Sequence, residues 1–235
     1  MDLSLIQLGV LVFCFLSLGY FSQKTVLLIG FKLTVVLGAP GIMAHEASHW
    51  IMAKLFGHKI LEAKFFAPSS DGSLGYVNHA YRRSFINYIS LPMISLAPLF
   101  IGPGIYYFFT NVLYPELIYS IHVGHQQELS IHIVLSNLYV IGQWITNSLT
   151  VDKLVWLLLG LSIITFSVPS SIDIENCRKQ LIVLIIIGCL LVHYGLSVAN
   201  LTVYLTFMSS FAMLSLSIVM FGFISAYMVR RCFSS

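Results

Sequence analysis

The stretch "GAPGIMAHEASHWIMAKLFGHK", residues 38–59, places two histidines and a glutamate among almost entirely apolar neighbours. The apolar run that contains them, 25–56, is longer than the roughly 20 residues that a helix needs to cross a bilayer. Ionisable groups at mid-membrane cost about 3 kcal/mol each on insertion scales. These polar residues therefore need a chemical explanation.

The rest of the chain is equally apolar. Of its 235 residues, 58% are hydrophobic and 9% are charged, with a mean hydropathy of +0.90, which is typical of an integral membrane protein and not of a soluble domain. The predicted fold class is an all-α polytopic membrane protein with about six transmembrane helices, in a single domain over 1–235. The predicted spans are 3–21, 25–56, 84–109, 153–172, 180–198 and 201–229.

Basic residues are unevenly divided between the two sides of this topology. Nine fall on one side and two on the other, which marks the first side as cytoplasmic and places both termini there. No basic face or stripe suggests nucleic-acid binding, and the sequence does not predict an oligomeric state. The nine are Lys54, Lys59, Lys64, Arg82, Arg83, Arg178, Lys179, Arg230 and Arg231, and the two are Lys24 and Lys153.

Two connections between spans are long. Residues 59–83 have short aromatic-rich runs around a Pro-Ser-Ser-Asp-Gly-Ser turn, which predicts a cytoplasmic β-hairpin. Residues 110–152 are predicted to be an external connection, in which 129–144 either lies in the interface or dips into the bilayer. In the span 84–109, Pro92 and Pro98 release backbone carbonyls, which indicates either a cavity beside this helix or kinks that improve packing.

The motif "HEASH" carries the metal chemistry. His45 and His49 are four residues apart, so on a helix both imidazoles lie on one face and can bind one zinc ion. Glu46 points about 100° away around the helix, where it can take a proton from water that the metal activates. The alternative is a polar trio satisfied in the core, which would have to account for three costly groups at this spacing.

A catalytic zinc site usually has a third protein ligand. Asp173 is predicted to be this third ligand, and Glu175 is the second candidate. Counted inward from the external border, Lys24 to His45 is 21 residues and Lys153 to Asp173 is 20, so both motifs reach a depth of about 30 Å. The alternative for Asp173 is a helix-capping role in the Pro-Ser-Ser turn.

The order of these motifs resembles the site-2 protease family of intramembrane zinc metalloproteases. The resemblance covers roughly residues 36–178 and rests on "HEASH", "AKLFGHKI", "GYVNHAYRRSF", "SLAPLFIG" and "PSSID". It implies zinc held by His45, His49 and Asp173, with Glu46 as general base. The family's Asn-x-x-Pro-x-x-x-Leu-Asp-Gly pattern is absent, because Pro169 precedes the aspartate by four residues and isoleucines flank it.

The expected reaction is hydrolysis of peptide bonds in membrane-anchored proteins or peptides, close to the cytoplasmic face of the lipid bilayer. A transmembrane substrate must unwind before its carbonyls become accessible, and a strand edge over 74–81 can hold the unwound segment. Tyr76, Val77, Asn78 and His79 are the predicted substrate-binding residues. Asn78 or His79 either stabilises the oxyanion or is a solvated loop residue.

Other functions remain open at this point. The main alternative is a catalytically silent membrane protein of the same fold that binds or escorts transmembrane segments, which the intact HExxH motif disfavours. A desaturase needs more clustered histidines, and a zinc transporter needs ligands on several facing spans. His58, just beyond Gly57, is predicted to complement the helix dipole as a cap.

Overall fold

A computed structural model describes residues 31–69, 73–82, 84–123 and 131–180, with isolated positions at 17, 20, 182, 210, 212, 215, 220, 224 and 227. Within these residues the chain is mostly helical and has one two-stranded antiparallel sheet, which confirms the predicted combination of helices with a small hairpin. The elements are α1 Phe31–Leu55, β1 Lys59–Lys64, β2 Tyr76–Ala80, α2 Asn87–Ser95, α3 Ala97–Leu113, α4 Pro115–Val123, α5 Ile131–Thr146, α6 Val151–Phe166 and α7 Ser171–Gln180.

Helix α1 carries the HExxH motif and ends at a glycine stop. Gly57 has φ +71°, a left-handed conformation that glycine adopts without steric cost. The Gly57 amide donates to the Lys54 carbonyl at 2.9 Å, and the His58 amide donates to the Ala53 carbonyl at 2.8 Å. These two bonds form a Schellman motif, which turns the chain from the helix directly into β1.

Helices α1 and α6 pack against each other at unusually short range. A Cβ atom on Gly38 would lie 2.3 Å from the Phe166 ring, and one on Gly41 would lie 2.2 Å from the Ser162 carbonyl oxygen. Gly41 follows Pro40, and its amide donates a hydrogen bond to Ser162 Oγ at 3.0 Å. The small residues of "GAPG" thus let α6 approach the histidine-bearing helix closely.

Two helices that the sequence predicts as single spans are broken. The predicted span 84–109 contains α2 and most of α3, which meet at an angle of 58°, and α3 continues to Leu113. In the region predicted as 153–172, α6 ends at Phe166 and α7 starts at an angle of 53°. Prolines explain both breaks, because Pro98 and Pro169 have no amide hydrogen to continue the helical ladder.

The hairpin joins β1 to β2 in antiparallel register, from Lys59 opposite Ala80 to Lys64 opposite Tyr76. A bulge at Leu61 interrupts this register. Beyond the strands, the Ala67 amide bonds to the Leu74 carbonyl at 2.8 Å. Hydrogen bonding in the hairpin therefore extends beyond β1 and β2. The sheet has two strands within the described residues.

The connection 110–152, predicted to be external, is mostly helical within the described residues. It contains α4 and α5, whose apolar faces complete a hydrophobic core with α3 and α6. Because these faces are buried against their neighbours, the segment is part of the packed structure; residues 124–130 lie outside the described part. The buried core side chains are Tyr106, Leu117, Ile118, Ile121, Ile141, Trp144, Ile164 and Ala212.

Within the described residues, no single helix is long and apolar enough to cross a bilayer alone. The pairs α2 with α3 and α6 with α7 have the required length and composition together. The predicted spans 3–21, 180–198 and 201–229 lie almost entirely outside the described residues.

Candidate metal centre

His45, His49 and Asp173 come together where α1, α6 and α7 meet. The two imidazole Nε2 atoms are 3.1 Å apart. Asp173 Oδ2 lies 3.5 Å from His45 Nε2, and Asp173 Oδ1 lies 3.3 Å from His49 Nε2. Among the described residues, these three form the single group of histidine, cysteine or acidic side chains with metal-binding spacing.

Backbone carbonyls fix the orientation of both imidazoles. His45 Nδ1 donates to the Phe166 carbonyl at 2.7 Å, and His49 Nδ1 donates to the Ile94 carbonyl at 2.8 Å. With Nδ1 protonated, each ring presents its Nε2 lone pair to the centre of the cluster. This carbonyl–histidine arrangement is the usual outer support of a metal-ligating histidine.

Prolines make those two carbonyls available. Ile94 would normally accept from the amide of residue 98, but Pro98 has none. Phe166 has Pro169 three residues ahead, and the next amide, that of Ser170, is bonded to Asp173 Oδ2 at 2.7 Å. The two helix breaks therefore supply the acceptors that hold the two histidines.

The spacing of the three ligand atoms fits a tetrahedral metal. Zinc–nitrogen and zinc–oxygen bonds of about 2.0–2.1 Å imply ligand–ligand separations of about 3.3 Å, close to the three distances in the cluster. Two imidazole lone pairs and a carboxylate facing one another repel unless a cation or a shared proton lies between them. The donor set thus suits a divalent cation, and its nitrogen and oxygen atoms suit zinc.

Asp173 also caps α7. Its Oδ2 accepts from the Ser170 amide and from Ser170 Oγ, both at 2.7 Å, while its own amide donates to Ser170 Oγ at 3.1 Å. This reciprocal pairing is a capping box. The capping and ligand roles considered for Asp173 are therefore compatible, because Oδ1 remains directed at His49. Glu175 is exposed and lies outside the cluster.

Glu46 lines the same cavity as the three residues of the cluster. Its carboxylate interacts electrostatically with all three and has no hydrogen bond to another described residue. A Cβ atom on Gly75 would lie 2.8 Å from Glu46 Cγ and 2.8 Å from the Lys64 carbonyl oxygen. The segment before β2 thus passes directly over the glutamate, at a distance that only glycine allows.

The cavity has a volume of about 1070 Å³. β2 and the segment before it form one side of it, with α2 and the α6–α7 break around the cluster. All four predicted substrate-binding residues, Tyr76, Val77, Asn78 and His79, line it. The structure therefore brings every predicted site residue to one cavity.

Sequence reasoning missed the carbonyls of Ile94 and Phe166, and it misassigned His58. The signal for the carbonyls was present as prolines three or four residues further along. The His58 side chain is buried and contacts His79 and Ser90, so the backbone amide of His58, not its imidazole, caps α1. The other four of the chain's eight histidines lie outside the described part, as side chains for His122 and His132 and as whole residues for His125 and His193.

Comparison with known proteins gives no match: neither a protein-family model nor a curated protein or solved structure is significantly similar to this chain.

Proposed function

We propose that this chain is an intramembrane zinc metalloprotease that hydrolyses peptide bonds in or next to transmembrane segments, near the cytoplasmic membrane face. The observation that carries the proposal is the convergence of His45, His49 and Asp173 beside Glu46 in one cavity. The motif order that resembles the site-2 protease family supports the same conclusion.

His45, His49 and Asp173 would hold the zinc, and zinc bound there would lower the pKa of a water molecule to about 7 and polarise the scissile carbonyl. Three protein ligands leave one position for water or substrate, as in other catalytic zinc sites.

The remaining chemistry belongs to Glu46. Its carboxylate accepts a proton as the water oxygen bonds to the carbonyl carbon, then delivers that proton to the amide nitrogen as the C–N bond breaks. One water is consumed, a carboxylic acid and an amine are formed, and Glu46 returns to its ionised state. The backbone at Gly75 passes close to the Glu46 side chain.

A membrane-anchored protein or peptide is the proposed substrate, and the lipid bilayer is the proposed environment. The mean hydropathy of +0.90 supports a multi-pass protein. The basic residues near the hairpin, including exposed Lys54, Lys59 and Arg82, support its placement on the cytoplasmic side, together with both termini.

Strand β2 is proposed to hold the unwound substrate by main-chain pairing. Val77→Pro removes an amide donor from the part of β2 that lines the cavity, so cleavage should fall at least about tenfold, the loss of roughly one hydrogen bond, with zinc content unchanged. Ala80→Pro, at the end of the same strand and outside the cavity lining, is the control. If Val77→Pro cleaves the substrate as fast as the control Ala80→Pro does, strand pairing is excluded.

The proposed function is tested with wild type, Glu46→Gln and Glu175→Gln, each reconstituted into lipid vesicles with single-span substrates. Zinc is measured by elemental analysis and cleavage by mass spectrometry of the products. Glu175 is the matched control, because it is exposed on α7.

If the chain is a zinc protease, all three proteins should contain zinc and Glu46→Gln alone should lose cleavage. Zinc in all three without cleavage of any substrate would favour the silent membrane protein. No zinc in any of them, or equal cleavage by wild type and Glu46→Gln, would exclude the protease.

A further inference from the structure

A second polar cluster connects α2 to the cavity. Ser90 Oγ lies 3.2 Å from His58 Nε2, and His58 Nδ1 lies 3.1 Å from His79 Nδ1. Ser90 and His58 are buried, and the Tyr81 ring stacks on His58 at 5.1 Å between centroids. The three side chains form a hydrogen-bonded chain that ends at His79, which lines the cavity.

The direction of this chain follows from Ser90. Its hydroxyl is fully buried, and within the described residues its one side-chain hydrogen-bond partner is His58. A buried hydroxyl hydrogen without an acceptor is costly, so Ser90 donates to His58 Nε2. His58 then carries its hydrogen on Nδ1 and donates to His79 Nδ1. His79 is left with its hydrogen on Nε2.

Both histidines are neutral near pH 7. Burial lowers the pKa of His58, and burial, followed by electrostatic interaction with His58 and His49, lowers the pKa of His79. A neutral His79 that accepts at Nδ1 has a single N–H, at Nε2, on the edge of the ring opposite His58.

His79 lines the same cavity as Glu46 and His49, which is the compartment where the reacting carbonyl would sit. We propose that His79 is a catalytic residue that donates its Nε2–H to the carbonyl oxygen of the bond being cleaved. His58 and Ser90 are positioning residues that fix the tautomer of His79. This inference rests on the proposed function.

The step conserves atoms and charge. As the water oxygen bonds to the carbonyl carbon and Glu46 takes the water proton, the negative charge that develops on the carbonyl oxygen accepts a hydrogen bond from His79. The hydrogen stays on His79, and the bond relaxes when the C–N bond breaks. Donors placed at such an oxyanion contribute about 10²–10³ in kcat.

The first test compares kcat of wild type, His79→Ala and His79→Gln on one single-span substrate, with zinc content measured in each. His79→Ala should lower kcat by about 10²–10³ with full zinc content. His79→Gln, which retains an N–H donor, should recover part of that loss. If wild type cleaves and His79→Ala cleaves equally well, the role of His79 is excluded, while the protease itself stands.

The second test reads the tautomer directly and does not depend on activity. In metal-free protein labelled with [¹⁵N]histidine, the wild-type His79 signals should show a protonated Nε2 and an unprotonated Nδ1. Ser90→Ala should produce a mixture of tautomers, and Ser90→Thr, which keeps the hydroxyl, should restore the wild-type signals. Ser120→Ala, which removes an exposed helical hydroxyl on α4, is the control.

A protonated Nδ1 on wild-type His79, or no response of its signals to Ser90→Ala, would overturn the proposal. Loss of the tautomer preference in Ser90→Ala, with a fall in kcat that Ser90→Thr reverses, would support it.

Discussion

At the scale of single residues, the cluster combines two tasks in one side chain. Asp173 Oδ2 closes the capping box with Ser170, while Oδ1 faces His49. The cap holds the first turn of α7 in place and therefore holds the carboxylate at the distance that the two imidazoles require. The geometry of the cluster therefore depends on a local helix-start motif.

These two tasks can be separated by substitution. Asp173→Asn keeps an oxygen for the Ser170 amide but removes the charge that a zinc ligand supplies. Since loss of an outer partner already lowers metal affinity by about 10–100-fold, loss of this ligand should lower it more than about 100-fold. Zinc affinity is measured by competition with a chelator.

Ser170→Ala provides the contrast. It removes the cap and should lower the free energy of unfolding by about 1 kcal/mol, with a smaller loss of zinc affinity than Asp173→Asn. If Asp173→Asn binds zinc as wild type does, Asp173 is a cap alone.

At the scale of elements, the two helix breaks leave backbone carbonyls free to bind the imidazoles of His45 and His49. Pro98→Ala restores an amide that competes with His49 for the Ile94 carbonyl, so zinc affinity should fall by about tenfold, the lower limit for an outer partner. Pro103→Ala, inside α3, is the matched control and should leave zinc affinity unchanged. If Pro98→Ala and Pro103→Ala bind zinc with equal affinity, the freed Ile94 carbonyl does not support the site.

The hairpin is expected to be sensitive to acid. Burial lowers the pKa of His58 and His79 in the folded protein, whereas the unfolded chain takes up protons near pH 6.5. Protonation therefore favours the unfolded chain, and the stabilisation present above about pH 6.5 is lost as the pH falls.

Thermal unfolding at pH 7.5 and pH 5.5 measures this effect. The His58→Gln/His79→Gln double variant should show a smaller drop in Tm between the two pH values than wild type does. An equal drop in both proteins would assign the acid sensitivity to other groups.

At the scale of the whole molecule, local patterns were readable from the sequence and long-range geometry was only partly so. The HExxH helix, its Gly57 stop and the hairpin depend on neighbouring residues, and all three are present in the structure. The depth count that predicts Asp173 rests on the assumption of a continuous helix from Lys153. That assumption is wrong, because α6 ends at Phe166, yet the bent α7 still brings Asp173 to the histidines.

The breaks and the packed 110–152 segment were not predictable in the same way. A proline indicates a missing hydrogen bond, but which neighbour uses the freed carbonyl depends on residues far away in sequence: His49 is 45 positions from Ile94, and His45 is 121 from Phe166. The sequence predicts only an external connection over 110–152; that its helices α4 and α5 share a core with α3 and α6 depends on contacts between distant residues.

The whole assembly depends on how closely α1 and α6 approach, which gives the last prediction. A methyl group at Gly41 would meet the Ser162 backbone, so Gly41→Ala should separate the helices, cost about 1–3 kcal/mol as overpacking does, and move Asp173 away from His45 and His49. Zinc affinity should fall together with stability. Gly142→Ala, which meets nothing within 4 Å on helix α5, should instead raise stability by up to about 1 kcal/mol and leave zinc affinity unchanged. If Gly41→Ala retained wild-type zinc affinity, the close α1–α6 contact would not be what brings Asp173 to the histidines.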